Sequence, residues 1–164
     1  MPNVISNTSP IQYLYQTNLL ELLPQLYGSI ILPLGVVIEL EEGKNLGVAV
    51  PKIENYSWFQ IYPSPDLNLT EFSKMGDILG RGEKEVMALG LEMSDSLAII
   101  DDGLARSYAR DLGIKITGTV GVLLKAKQTG YLDLIKPVLE ELIILGFYLD
   151  KTTHYTVLKL ANEF

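Results

Sequence analysis

The chain has no cysteine and only one histidine, His154. The first absence excludes disulfides, thiolate zinc sites and a cysteine nucleophile, and it fits a reducing compartment. The second makes any Ser/His/Asp arrangement depend on one residue in the last helical stretch, far in sequence from the acids discussed below. His154 therefore reads as a surface or packing residue. Long apolar runs are missing too: no uninterrupted stretch approaches the roughly 18–20 residues of a membrane span. No basic segment followed by an apolar one precedes the first strand-like residues, so no signal peptide is expected. These absences point to a soluble cytoplasmic protein with no membrane partner. Basic residues are in deficit, 13 Lys and Arg against 20 Asp and Glu, for a formal charge of −7. Nucleic-acid binders usually carry a basic footprint, so tight, unassisted binding of long duplexes is not expected. The basic residues that exist partly concentrate along one stretch, at Arg81, Lys84, Arg106, Arg110, Lys115, Lys125 and Lys127.

What is present is enough for one domain with a full core: 164 residues, of which 48% are hydrophobic, near the globular average. Val4-Ile5-Ser6 reads as a first strand ending at Asn7, and Ser9-Pro10 as an N-cap with proline at the first helical position. A second helical stretch is expected from Asn18 to near Gly28, then a strand at Ser29–Leu32 and a helix opened by Pro33 and stopped at Gly43. The pattern weakens from Lys44 to Leu79, apart from a strand over Trp58–Tyr62. Regularity returns with a helix from Gly82 to about Met93, a strand at 97–100, a helix from Leu104 to Leu112 and a strand at 114–117. Helices follow from Thr119 to about Gln128, near 134–145 and near 151–162. Strands alternating with helices mean βαβ units and a mostly parallel sheet, an α/β fold. The glycines at 76, 80 and 82 lack the spacing of a phosphate-binding loop. The sequon at Asn68-Leu69-Thr70 has no secretory context.

Four acids fall where an open α/β sheet binds its ligands, at strand ends and the loops after them. They are Glu39, Glu83, Asp101 and Asp102. Acids gathered in one place repel one another unless a cation lies between them, so the arrangement points to a metal site. Each has a plainer explanation. Glu83 shares a helix face with Val86, Met87 and Gly90, where a buried acid needs a partner or a metal; it could instead favour the helix dipole from the first turn. Asp101 or Asp102 could N-cap the next helix, and Arg106 could pair with Asp102 across one turn, but capping requires only one of the two. Glu39 stands beside Glu41 and Glu42, a run that more often marks a solvated face. Asn7 ends the first strand and could be an oxygen ligand for a hard cation or an Asx turn. Thr119 sits at another strand-to-helix switch, where N-capping accounts for it and phosphate or metal-bound water is the alternative.

Taken in order, these stretches resemble the PIN-domain family, in particular a prokaryotic branch close to the toxin ribonucleases of toxin–antitoxin pairs. The matching segments are Val4–Pro10, Leu32-Pro33 through Glu39-Leu40, Gly82–Leu89, Ile100-Asp101-Asp102 with Ala105-Arg106, and Gly118–Leu123. The resemblance covers nearly the whole chain, and order and spacing carry it rather than any one motif. It implies a single three-layer α/β/α domain over residues 1–164, with a central mostly parallel sheet and the helices from about 134 packing on it. It further implies an Mg²⁺- or Mn²⁺-dependent endoribonuclease cleaving single-stranded RNA. Carried over by position, the ligands are Asn7, Glu39, Glu83 and either Asp101 or Asp102, with Thr119 as an auxiliary polar group. Arg81, Lys84, Arg106 or Lys125 would hold flanking phosphates. An antitoxin protein is the implied partner, and apolar helices near 11–27 suggest a homodimer. Asn7 departs from the family's usual aspartate and removes one negative charge. The alternative is therefore a catalytically weak relative that acts in protein or RNA binding.

Overall fold

The computed structural model describes residues 2–67, 72 and 78–164. Gly76 and the Asn68–Thr70 sequon lie outside them. Five strands, β1 (Asn3–Ser6), β2 (Ile30–Pro33), β3 (Phe59–Tyr62), β4 (Ser96–Ile99) and β5 (Lys115–Thr117), form one sheet in the order β3-β2-β1-β4-β5. Every pairing is parallel. The central strands are short β-branched runs, and all four residues of β2 are buried, as expected where helices cover both faces. The edge strands carry the exposed polar residues Gln60 and Lys115, which discourage pairing with another chain.

Among the described residues eight α-helices flank the sheet in a three-layer α/β/α arrangement: α1 (Thr8–Gln16), α2 (Leu22–Tyr27), α3 (Leu34–Asn45), α4 (Arg81–Glu92), α5 (Gly103–Asp111), α6 (Thr119–Gln128), α7 (Lys136–Ile144) and α8 (Lys151–Leu160). Helix α3 packs on α4, while α6 touches α1, α2 and α8. None of these helices is long and apolar enough to cross a membrane.

Three local expectations change. The first helix starts at Thr8 with Asn7 as N-cap, rather than at Pro10 with Ser9 as N-cap, and the Asn7 side chain makes no capping bond. Asn18 does not start a helix. It takes φ 60° and closes α1, with the Leu19 N–H reaching the Leu14 carbonyl at 2.8 Å, the left-handed ending that asparagine tolerates. The apolar residues near 11–27 are not a free surface: Ile11, Leu14, Leu20, Leu22, Leu23 and Leu26 are all buried in the core. They no longer argue for a dimer.

The C-terminal helices are tied back by one carboxylate. Glu163 accepts from the Ile135 N–H at 2.8 Å and the Lys136 N–H at 3.0 Å, and from the Lys127 ammonium at 2.7 Å. Lys127 also donates to the Ala161 carbonyl. Leu139, Leu142 and Val157 bury the inner faces of α7 and α8.

Candidate metal and nucleic-acid site

Strand order reverses at β1, which has β2 on one side and β4 on the other. The crevice outside the carboxyl ends of strands at such a switch is where open α/β sheets bind ligands. The register brings Ser6 beside Ile99, and the Asn7 N–H donates to the Ile99 carbonyl at 3.0 Å. Asn7 and the residues after β4 are therefore neighbours. A cleft of about 520 Å³ opens there, lined by Asn7, Glu39, Glu83, Asp101 and Asp102 together with the start of α1 and Gly146-Phe147-Tyr148. All five positions expected as metal ligands thus face one cavity.

Their surroundings differ. Glu39 is half-buried on α3 and accepts from the Thr8 hydroxyl at 3.3 Å. It lies so close to Gly82 that a side-chain carbon at that position would overlap its Oε1, and the Glu39 carboxylate would have to turn aside. Glu83 reaches back to the Gly80 N–H at 3.1 Å. A carbon built on Gly80 would stand 3.6 Å from Glu83 Oε1 and 3.7 Å from Glu39 Oε2, so the two carboxylates flank one backbone segment. Burial pushes both acids above their ordinary pKa. The Thr8 bond partly offsets this for Glu39, and the Gly80 bond does so for Glu83. Charge repulsion adds to the rise, from Glu83 on Glu39 and from Asp102 on Glu83.

Asp101 and Asp102 point in different directions. Asp102 is exposed and N-caps α5 by accepting from the Ala105 N–H at 2.9 Å. Asp101 is held from three donors: the Thr119 N–H at 2.7 Å, the Thr119 hydroxyl at 2.7 Å and the Ser9 hydroxyl at 3.0 Å. Burial raises its pKa, while these bonds and the nearby Arg106 charge pull it down without cancelling the rise. Thr119 is not the N-cap of α6, a position that Gly118 holds; it is wholly buried and spends its donors on Asp101. Asn7 is 6% exposed, and its Oδ1 has no hydrogen-bond partner.

The basic residues expected to hold phosphates are mostly engaged elsewhere. Arg81 pairs with Glu85 at 2.6 Å and donates to Ser64. Lys125 stands 4.4 Å above the Tyr27 ring. Lys84 is half-buried on α4 and does not line the cleft. Arg106 does not pair with Asp102 across its helix turn; it donates to the Ile100 carbonyl at 2.8 Å and faces an adjoining cavity. Among the described residues, no group of three or more acids or histidines stands close enough to hold an ion as placed.

Sequence reasoning missed three contributors. Glu85, rather than Glu83, is the fully buried acid of α4, and it accepts from the Gly35 N–H at 2.9 Å, tying α3 to α4. Its pairing with Arg81 four residues earlier was the available signal. Thr8 holds Glu39 and Ser9 holds Asp101 by their hydroxyls; Ser9 looks like a cap in the sequence, and Thr8 carries no local signal. Gly146–Tyr148 reach the cleft from a distant connection that no local pattern marks.

A family model described as a PIN domain matches residues 3–163. No curated protein matches the chain.

Proposed function

Since the chain belongs to the PIN-domain family, whose members are generally nucleases, we propose that it is an Mg²⁺- or Mn²⁺-dependent endoribonuclease acting on single-stranded RNA. The reading treats residues 1–164 as one PIN-like domain working in the cytoplasm. The observation that carries it is the Asn7 amide oxygen, a buried acceptor without a donor in the same cleft as four carboxylates. A buried acceptor left unpaired costs about 1–3 kcal/mol, and a hard cation is the partner that would repay an oxygen among acids.

Glu39, Glu83, Asp101 and Asn7 are the oxygen donors suited to that ion. Bound there, it would neutralise charge on the phosphodiester and make water a usable nucleophile near neutral pH. The protein's own part is positional and electrostatic. Ser9 and Thr119 aim Asp101, Gly82 lets Glu39 approach α4, and Gly80 orients Glu83. In the cell such a nuclease would serve as the toxin of a toxin–antitoxin pair, held in check by its partner protein.

The purified chain is expected to cleave single-stranded RNA when Mn²⁺ or Mg²⁺ is added, and Glu83→Gln to lower the rate more than about 100-fold, beyond the usual loss for outer ligands. Wild-type rates in Glu83→Gln would refute the assignment. A second reading rests on Asn7 itself. An amide brings no negative charge, so the chain could bind RNA with little cleavage. A large gain in cleavage by Asn7→Asp over wild type favours that reading; a wild type already active without it favours the first.

A further inference from the structure

We propose that the Tyr148 ring and the cavity beside it form a subsite for an unpaired nucleobase, next to the acid cleft. The proposal takes single-stranded RNA as substrate from the reading above. Tyr148 lies between α7 and α8 and is 85% exposed, so its ring is open to a ligand. It follows Gly146, whose φ of 101° turns the chain sharply where other residues would be strained. Its neighbour Phe147 is anchored, meeting Tyr13 edge-on with centroids 5.1 Å apart. Phe147 and Tyr148, with Asp101, line both the acid cleft and a second cavity of about 430 Å³, so the two cavities meet at these residues. A strand leaving the acids for that cavity would pass across the Tyr148 ring.

The chemistry of the second cavity suits a flat neutral ring better than a phosphate. Ile116, Val120, Leu124 and Leu149 supply apolar lining. Its charged groups are already engaged. Asp101 is held by Ser9 and Thr119. Asp150 caps α8, accepting from the Thr153 N–H at 2.7 Å and the Thr153 hydroxyl at 3.0 Å. Arg106 donates to the Ile100 carbonyl. Stacking of bases on aromatic rings tolerates any sequence and needs no net positive charge. It gives a chain of formal charge −7 a way to hold RNA that phosphate contacts alone would not.

The test is equilibrium binding of a short single-stranded oligoribonucleotide carrying 2-aminopurine, in metal-free buffer so that no cleavage occurs. Tyr148→Ala is expected to weaken binding about tenfold and to relieve the fluorescence quenching, with Tyr148→Trp restoring both. The exposure of Tyr148 keeps the core out of the comparison. The same oligomer made abasic should bind wild type and Tyr148→Ala alike. Equal affinity of Tyr148→Ala and wild type for the intact oligomer overturns the subsite, as does a difference that persists on the abasic strand. Weaker binding by Tyr148→Ala in a protein that never cleaves RNA leaves the subsite standing and removes the nuclease. Unchanged binding in a protein that does cleave has the opposite meaning.

Discussion

Two sets of carboxylates in this molecule are treated in opposite ways. At the C-terminal end, burial alone would push Glu163 up, but the Ile135 and Lys136 N–H groups and the Lys127 ammonium outweigh it and hold its pKa below the ordinary value. Its side chain is 5% exposed and every nearby donor is aimed at it. At the carboxyl ends of the strands, Glu39 and Glu83 keep raised pKa values because burial, with repulsion from Glu83 on Glu39 and from Asp102 on Glu83, exceeds the few donors supplied. One region spends its charge on stability. In the other, burial and neighbouring charge work against the ionised form.

Breaking the satisfied end should produce the largest effect. Glu163→Ala leaves Lys127 with only the Ala161 carbonyl and removes the acceptor of two backbone N–H groups, and is expected to cost about 3 kcal/mol in urea denaturation, with RNA cleavage per folded molecule unchanged. A loss under about 1 kcal/mol would mean the clasp is worth no more than a surface pair. The strained end should answer with the opposite sign. Glu39→Gln removes repulsion with Glu83, so the metal-free protein should gain roughly 0.5–1 kcal/mol at pH 7 while cleavage is lost. A destabilised Glu39→Gln would show that Glu39 is a structural acid after all.

The smallest and sharpest effect is in pH. Glu39 and Glu83 have folded-state pKa values above 4.5, so the folded protein binds more protons than the unfolded chain in the window above 4.5. Their contribution to stability therefore falls as pH rises through that window. Glu163 runs the other way, with stability present above 4.5 and lost as pH falls through its depressed folded value. Calorimetric melting of the metal-free chain should show a modest rise in Tm from pH 7 to pH 5, reduced in Glu39→Gln. A Tm that falls steadily over this range in both proteins would erase the contrast between the two regions.

Much of this architecture was legible in the order of residues. The β-branched runs at 4–6, 30–32 and 97–100 are too apolar to lie anywhere but inside a covered sheet, and their alternation with helices leaves little choice but parallel strands. The candidate positions at strand ends were legible for the same reason: Asn7, Asp101 and Thr119 come within two residues of β1, β4 and β5, whose ends lie side by side. What stayed hidden was how each donor is used. Thr119 and Ser9 look like caps because a hydroxyl beside a helix start usually is one, yet both turn to Asp101 across the sheet. Asn18 reads as a helix start because its side chain suits that place, but the left-handed turn that ends α1 suits it as well.

Local pattern by itself determined the strand and helix content, the parallel sheet and the residues that reach the crevice, because periodicity and burial are properties of short segments. Only the tertiary structure decided that Glu85 rather than Glu83 is the buried acid of its helix, that Asp102 caps while Asp101 is held by hydroxyls, and that Tyr148 stands beside the acids. Those choices depend on which donors arrive from segments up to about a hundred residues away, and hydrogen bonds and charge interactions are settled by distance in space, not by separation along the chain.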